Sequence, residues 1–247
     1  MPPIKGERMS KELSEINGEF NPSIIKPAYL IRKCLLKYIR KYAPELTGSV
    51  MDFGCGSKPY KSLLINAEEY VGVDFQGQGH SHENEQIDVF YDGLNIPFDN
   101  NRFDGIFTSE VFEHVFNLEH IVGELNRVLK PGGKIFITCP FAICEHEQPN
   151  DFARYTSFGL KDLLERNGFT IISFEKAGTS METICQIFIS YFYFDVIRRL
   201  FGKIPGVRTV VALVFITLLN VISLFLNLIS PKGKDLYMNN VVLAVKK

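Results

Sequence analysis

Short apolar runs alternate with stretches of helical periodicity through the middle of the chain. The runs predict five strands that are buried on both faces, at residues 50–53, 70–74, 87–90, 103–109 and 134–139. Before the last run, apolar residues recur at helical spacing from Leu118 to Leu129 and stop at Lys130-Pro131-Gly132-Gly133, which is typical of a helix end. Strands that alternate with helices predict a parallel sheet, with a ligand bound at the carboxyl ends of its strands.

The two ends of the chain follow other patterns. Residues 1–22 show little periodicity and predict a mobile arm, and Pro27 then opens an amphipathic helix to about Tyr42 whose basic face is either solvated or turned to anionic lipid. Phe169–Lys176 and Asn239–Lys246 predict two more strands that pair antiparallel. The 247 residues thus divide into an arm with a basic helix (1–48), a main domain (49–180 with 236–247) and an inserted apolar helical segment (181–235).

The turn after the first predicted strand carries the clearest chemical signal. Gly54 and Gly56 lack a Cβ atom, so the backbone there can approach a ligand closely. Asp74 stands at the carboxyl end of the next strand, where an acid can bind both hydroxyls of a ribose. Together they predict a nucleoside site. Between them a helix is expected from about Ser57, covering Tyr60, Leu63 and Leu64.

The type of nucleoside follows from two neighbouring positions. A dinucleotide site has a third glycine, which lets a helix N-terminus close on the pyrophosphate, and here Pro59 stands at that position. Asp52, two residues before the first glycine, would repel a pyrophosphate but suits a ligand that carries a positive charge. These residues resemble the S-adenosylmethionine (SAM) site of class I methyltransferases.

Later segments extend the resemblance. Residues 92–98 are similar to the family's segment beside the adenine, residues 110–115 to the turn beneath the methionine part of the cofactor, and residues 125–133 to a stretch that serves the fold. The resemblance implies a Rossmann-like fold, with a mostly parallel seven-stranded sheet and an antiparallel last strand, to which this chain adds the inserted apolar helical segment. The turn at residues 110–115 includes His114, for which contact with the cofactor and a purely packed, hydrogen-bonded role are equal alternatives. The implied cofactor is SAM, bound by Asp52, Gly54, Cys55, Gly56, Asp74, Phe75, Asp92, Gly93, Leu94, Ser109, Glu110 and His114.

The loop over residues 140–156 follows the fifth strand and opens on the ligand side of the sheet. Its His-Glu-x-Pro-x-Asp-Phe-x-Arg-Tyr-Thr pattern resembles a methyltransferase subgroup associated with cell-surface polysaccharide or lipid-linked metabolism. Methyl transfer to a hydroxyl needs positioning, exclusion of water and a base. His146 is the candidate base, with Glu147 or Asp151 as its orienter or as an alternative base. In the competing interpretation Asp151 pairs with Arg154 only to shape the loop.

Charge and cysteine usage limit the partners and the compartment. Residues 1–48 carry 9 cations and 5 acids, residues 49–180 carry 10 and 20, and residues 181–247 carry 8 and 3. The acidic main domain argues against a nucleic-acid substrate, which would need a cationic face. The 5 cysteines show no CxxC pair or zinc spacing, and His80 and His82 have no partner at metal-ligand spacing. We therefore expect free thiols in a reducing cytoplasm and no metal site. The stretch from Met1 to Asn21 is polar and charged and has no apolar region, so we also expect no secretory leader.

The inserted segment has an unusual composition. Thr209–Ser230 carries no charge and would suit a transmembrane helix, but the flanking strands must meet in one sheet, which excludes an odd number of crossings. Thr183–Phe194 is also apolar yet short for a second crossing. A weak polar stripe is formed by Thr217, Asn220, Ser223, Asn227 and Ser230. We expect a dock on the inner membrane face, flanked by the cations at 198, 199, 203 and 208; a homodimer interface is the first alternative and a spanning hairpin the second.

The sequence therefore predicts a cytoplasmic SAM-dependent methyltransferase that acts on a small-molecule, lipid-linked or saccharide acceptor at the membrane face. Two other functions compete with this one. A catalytically degenerate SAM-fold protein that serves as a binding or scaffold module is disfavoured by the intact acids at 52, 74 and 92. A nicotinamide-dependent dehydrogenase is disfavoured by the missing third glycine.

Overall fold

The computed structural model describes residues 16–77 and 86–247. Strands of these residues form one seven-stranded sheet in the order β3-β2-β1-β4-β5-β7-β6. The strands β1 to β5 run parallel, and β7 is antiparallel to both of its neighbours. This confirms the predicted sheet. The strands are β1 (Gly48–Phe53), β2 (Ala67–Phe75), β3 (Val89–Tyr91), β4 (Phe103–Ser109), β5 (Leu129–Pro140), β6 (Phe169–Ala177) and β7 (Asn239–Lys246).

Helices cover both faces of the sheet. Thr156 caps one of them by accepting the amide N–H of Gly159 at 3.1 Å. Short 3₁₀ turns occupy Ala43–Glu45, Lys61–Leu63 and Phe112–His114. The α-helices are α1 (Tyr29–Tyr42), α2 (Leu118–Val128), α3 (Ser157–Arg166), α4 (Ser180–Tyr191), α5 (Arg198–Phe201) and α6 (Pro205–Ile229).

Each face of the sheet has its own core. Met51 and Phe53 of β1 pack with α2 and α3 on one face, whereas Val50 packs with α1 on the other. Because successive strand residues point to opposite faces, both faces bury apolar side chains. This explains why the strands appear in the sequence as unbroken apolar runs.

Two local predictions were wrong. The helix expected from Ser57 is only the 3₁₀ turn at Lys61–Leu63, because Lys58 lies in the left-handed region (φ +56°) and Pro59 follows it. Part of the arm expected to be mobile is packed: Ile16 belongs to the core of the α1 face. Residues 1–15 and the crossover residues 78–85, with His80 and His82, lie outside the described part of the chain.

The inserted segment is a helical hairpin. Its first arm is longer than predicted, because a π-helical turn at Phe192–Ile197 joins α4 to α5 and the run is helical from residue 180 to 201. Its second arm is α6, which packs against α4 and α1 through Ile189, Ile216 and Leu30. Within the described residues, one helix (Gly206–Ile229) is long and apolar enough to cross a membrane by length and composition alone.

The polar stripe on α6 faces the protein. The buried side-chain amide of Asn220 donates to the carbonyl oxygens of Ile24 and Lys26, at 2.6 and 3.0 Å. Asn227 accepts the hydroxyl of Thr179 at 2.8 Å and donates to Glu182 at 2.9 Å. Since Asn220 and Asn227 bind the rest of the fold, the opposite, apolar face of α6 is turned outward.

Candidate functional site

The glycine turn after β1 is held close to the ends of the neighbouring strands. The amide N–H groups of Gly54 and Cys55 donate to the carbonyl oxygen of Val73, at 2.8 and 3.1 Å. Gly54 has φ +74°, and a Cβ atom there would stand 2.3 Å from Cγ2 of Val111. Only glycine allows both this backbone conformation and this approach. The turn after β1 and the turn after β4 are therefore in contact at the carboxyl edge of the sheet.

The carboxylate of Asp74 is fixed beside this turn. One of its oxygens accepts the amide N–H of Gly56 and the other accepts that of Phe75, both at 2.7 Å. The side chain is half-buried at the end of β2. A carboxylate oriented in this way suits the two hydroxyls of a ribose.

Asp52 lies deeper than Asp74, inside β1. Its carboxyl group is buried and accepts the hydroxyl of Tyr70, which the sequence analysis had not singled out. Burial raises the pKa of Asp52 to about 7, against the opposing effect of the Tyr70 hydrogen bond. Near neutral pH this group can therefore carry a negative charge close to the glycine turn, which favours a cationic ligand.

The segment after β3 forms a short turn with apolar side chains on it. Asp92 accepts the amide N–H groups of Leu94 and Asn95, at 2.8 and 2.6 Å, and these bonds lower its pKa. Asp92 thus shapes the turn. Phe75 and Leu94 are largely exposed there, and the ring of Phe75 lies so close to Gly93 that a Cβ atom would stand 2.8 Å from it. The two apolar side chains suit the faces of a purine.

The turn after β4 carries a half-buried acid, Glu110. Ser109 bonds to Thr138 at 2.8 Å, and Glu110 accepts hydrogen bonds from Thr138 at 3.0 Å and from Asn239 at 2.7 Å. Burial raises the pKa of Glu110, and the positive charge of Arg32 on α1 opposes the rise. Arg32 and Asn239 come from the two ends of the chain, and nothing in the local sequence pattern connects them with this site.

The loop over residues 140–156 is bound to that same turn. The amide N–H of Phe152 donates to the carbonyl oxygen of Glu113 at 2.8 Å, and Nδ1 of His114 lies 2.7 Å from the carbonyl oxygen of Asn150. The predicted acceptor loop therefore packs beside the predicted cofactor residues. His114, which was expected among the cofactor residues, lies against His146, with ring centroids 4.8 Å apart.

Both interpretations of Asp151 find support in its contacts. Its two oxygens bond to the guanidinium of Arg154 at 2.5 and 2.6 Å, so the pair does shape the loop. The same carboxylate accepts the amide N–H of His146 at 2.9 Å and lies 3.3 Å from Nδ1 of the ring. Burial alone would raise the pKa of Asp151, but Arg154 and the His146 amide lower it to about 2. Asp151 is thus a permanent anion that orients His146.

His146 has the properties of a base near neutral pH. Burial and the neighbouring His114 lower its pKa, so the neutral imidazole prevails at pH 7. Its Nε2 atom is turned toward Glu113, a completely buried acid that the sequence analysis did not select. Glu147, the other candidate, has φ +50° and reaches to 3.8 Å from Nε2 of His114.

The residues present fit a cationic nucleoside cofactor such as SAM. The oriented carboxylate of Asp74 stands at the predicted ribose position, and the apolar side chains of Phe75 and Leu94 lie at the neighbouring strand ends. These ends also carry further carboxyl groups. Among the described residues, the predicted sites of both cofactor and acceptor thus lie at one edge of the sheet. Which of these side chains contact a ligand remains a prediction.

Known proteins share this sequence pattern and this fold. A family model described as a methyltransferase domain matches residues 28–174, more than half of the chain. A ubiquinone biosynthesis O-methyltransferase of Coxiella burnetii is 30% identical over 146 residues, which cover 55% of this chain and 62% of that protein. A demethylmenaquinone methyltransferase of Staphylococcus saprophyticus is 28% identical over 143 residues, covering 53% and 61%. The chain thus spans less than two thirds of the length of these curated relatives.

Solved structures support the fold. An S-adenosylmethionine dependent methyltransferase from Mesorhizobium loti superposes with a TM-score of 0.53 at 14% identity, covering 88% of this chain and 100% of that one. At this identity the similarity concerns the Rossmann-like architecture and not the substrate.

Proposed function

This chain belongs to the methyltransferase domain family, and we propose that it transfers a methyl group from SAM to a hydroxyl of a small-molecule, lipid-linked or saccharide acceptor. The observation that carries the proposal is the position of His146. The Asp151 carboxylate orients this neutral imidazole in a loop that is bonded to the turn after β4. A base is therefore available beside the predicted cofactor site.

In this proposal the residues divide the work of binding and proton transfer. Asp74 binds the ribose, Phe75 and Leu94 enclose the adenine, and the buried acids favour the positive charge of the cofactor. SAM, when bound, supplies an electrophilic methyl group on a sulfonium. His146 accepts the acceptor's proton at one ring nitrogen while Asp151 stabilises the resulting imidazolium. Glu147 is the alternative base at the exposed rim.

The names of the relatives support the type of acceptor. One is an O-methyltransferase of ubiquinone biosynthesis and another a demethylmenaquinone methyltransferase. Both names concern small organic acceptors, and the first specifies transfer to oxygen. The acidic main domain of this chain also favours such an acceptor over a nucleic acid.

We further propose that the enzyme works at the cytoplasmic face of a membrane, with the helical hairpin 180–229 as its dock. In the most apolar window of α6, only 17% of the residues are buried inside the protein. Arg198, Arg199, Lys203 and Arg208 lie around the tip of the hairpin, where the two arms join. A spanning hairpin would have to carry these cations through the hydrocarbon, whereas a surface dock leaves them among the headgroups.

Ligand binding and label transfer test the enzymatic proposal. Calorimetry on the full chain should show binding of SAM and of S-adenosylhomocysteine, and NADH binding more tightly than SAM would overturn the cofactor assignment. Incubation with methyl-labelled SAM and a panel of lipid-linked saccharides and hydroxylated quinone precursors should move label to an acceptor oxygen. A protein that binds SAM but labels no member of a broad acceptor panel would instead favour the scaffold alternative.

A further inference from the structure

Three side chains with metal-ligating atoms converge between the turn after β4 and the acceptor loop. They are Glu113, His114 and His146, and one ligand atom from each lies within 4.8 Å of the others. No spacing in the sequence predicts this group, since more than 30 residues separate His146 from the other two. The loop brings them together.

Glu113 is an unusual residue for a protein interior. Its side chain is 0% exposed, and neither carboxylate oxygen has a hydrogen-bond partner among the described residues. A buried carboxylate that lacks partners is costly, and such groups in proteins are ordinarily paired or bound to a metal ion. Such a group either keeps its proton, in line with the raised pKa that burial gives Glu113, or binds a cation that stabilises the carboxylate.

The distances around Glu113 fit a shared metal ion better than hydrogen bonds. Its Oε1 atom lies 3.6 Å from Nε2 of His114 and 3.7 Å from Nε2 of His146. Both separations exceed those of N–H···O hydrogen bonds. Two ligands on one tetrahedral ion with bonds near 2.1 Å stand about 3.4 Å apart. Small side-chain movements would bring all three atoms onto one ion.

The other nitrogen of each imidazole already has the partner that a metal ligand requires. Nδ1 of His114 lies 2.7 Å from the carbonyl oxygen of Asn150. Nδ1 of His146 is hydrogen-bonded to the carbonyl oxygen of Cys144 at 3.3 Å, and the carboxylate of Asp151 lies at the same distance. Metal-binding histidines commonly donate their second N–H to a carbonyl or a carboxylate in this way, which leaves the Nε2 lone pair for the ion.

We propose that Glu113, His114 and His146 bind a divalent transition-metal ion of the zinc type. Two imidazoles and one carboxylate favour such an ion over Mg²⁺ and Ca²⁺, which prefer oxygen ligands. Three protein ligands leave a position open, as in catalytic zinc sites. The exposure of the side chains rises from 16% at His114 to 33% at His146 and 55% at Glu147, so the open position faces the acceptor side.

The site would add a second way to activate the acceptor. An ion with an open position lowers the pKa of an oxygen bound to it, so an acceptor hydroxyl could bind there as its oxyanion. His146 would then be a ligand, and Glu147, whose Oε2 is 3.8 Å from Nε2 of His114, would be near enough to take the proton. This role rests on the proposed methyl transfer, whereas the metal site itself rests only on the ligand geometry.

Metal titration of the full chain tests the site without any acceptor. After treatment with a chelator, the protein should bind one Zn²⁺ in calorimetry, and Co²⁺ should give the intense visible bands of a tetrahedral complex. Glu113→Gln, His114→Ala and His146→Ala should each weaken Zn²⁺ binding at least about tenfold. Glu113→Gln is the decisive variant, because glutamine is neutral, like the protonated acid of the metal-free protein, and should not lower the melting temperature of that form.

Three matched variants control for other zinc-binding groups. His120→Ala removes a histidine on α2, Cys144→Ser removes an exposed thiol, and a double replacement of His80 and His82 by alanine removes the remaining histidines. All three should keep Zn²⁺ affinity. The site is refuted if the wild type binds neither ion, if Glu113→Gln binds Zn²⁺ normally, or if a control variant abolishes binding. The same samples are titrated with SAM. If they bind SAM but fail the zinc test, only the metal site is refuted and the cofactor part of the proposed function stands.

Discussion

The hydroxyl of Tyr70 on β2 donates a hydrogen bond to the buried carboxyl group of Asp52 on β1. The two residues belong to adjacent parallel strands, and Asp52 lies just before the glycine turn. Burial raises the pKa of Asp52 from 3.8 to about 7. The protonation state of this carboxyl group therefore links the stability of the cofactor site to pH.

This pKa predicts a fall in stability between about pH 4 and pH 7. In that window the folded protein keeps a proton on Asp52 that the unfolded chain has lost, so the free energy of unfolding decreases as the pH rises and levels off above pH 7. Asp52→Asn should remove this component and raise the free energy of unfolding at pH 8 relative to the wild type. Denaturant unfolding at pH 5, 6, 7 and 8 measures it; parallel curves for the two proteins would contradict the raised pKa.

Replacing Tyr70, the hydrogen-bond donor, should instead lower the free energy of unfolding. Tyr70→Phe leaves the Asp52 carboxylate without its hydrogen bond, which should cost about 1.5–3 kcal/mol at pH 8, where the group is charged, and about 0.5–1.5 kcal/mol at pH 5. The same unfolding experiment measures both values. In the Asp52→Asn background the penalty of Tyr70→Phe should no longer depend on pH. A penalty that is equal at both pH values in the wild-type background would argue against the charged hydrogen bond.

The cofactor site predicts a large effect of Asp74→Ala. Loss of the oriented carboxylate should weaken SAM and S-adenosylhomocysteine equally, by about 1–3 kcal/mol, because both contain the same ribose. Calorimetry measures both affinities. Asp162→Ala removes an exposed carboxylate on α3 and serves as the matched control, with unchanged affinity. Equal affinities of Asp74→Ala and the wild type would remove Asp74 from the cofactor site.

The acceptor loop predicts changes in turnover without changes in cofactor affinity. Alanine at His146, Glu147 or Asp151 should lower kcat on the methyl acceptor, by about 10²–10⁴-fold where the residue acts as the base, while SAM affinity stays nearly constant. Glu145→Ala, an exposed acid in the same loop, should keep full activity. Full activity of all three variants would reduce the loop to a structural element.

The sequence sufficed for elements whose signal is local. The apolar runs of β1 to β5 and the ends of β4 and β7 needed only neighbouring residues. Asp74 could be selected as the candidate ribose ligand from the sequence, because it stands at the end of the strand that follows the glycine turn. What required the structure depends on contacts across the chain: Tyr70 on Asp52, Asn239 on Glu110, and the unpaired burial of Glu113. Periodicity gives no information about such pairs.

The same distinction applies to the inserted segment. The sequence predicts the stripe of polar residues on α6, but it does not show whether this stripe faces the protein or the surroundings. Asn220 and Asn227 bind the protein, so the apolar side of the hairpin has no described residues over it. The most exposed apolar side chains of α6 are Val210, Val214, Phe225, Leu228 and Ile229.

The last prediction concerns the membrane, and it follows from this outward face. The full chain should float with vesicles that contain anionic lipid, and salt should weaken the binding, because each cation near the surface contributes about 1 kcal/mol. Replacing both Phe225 and Leu228 by serine should reduce flotation without lowering the melting temperature, since both are exposed. Phe158→Ser, at a still more exposed apolar position on α3, is the matched control and should float normally.

Light scattering on the same samples distinguishes the dimer alternative. A homodimer interface predicts a dimer that is insensitive to salt, has no affinity for vesicles and dissociates in the double serine variant. A membrane dock predicts that the double variant changes flotation only. If the wild type stays in the buffer at low salt while forming a stable dimer, the face of α6 is a subunit interface and the membrane proposal is wrong.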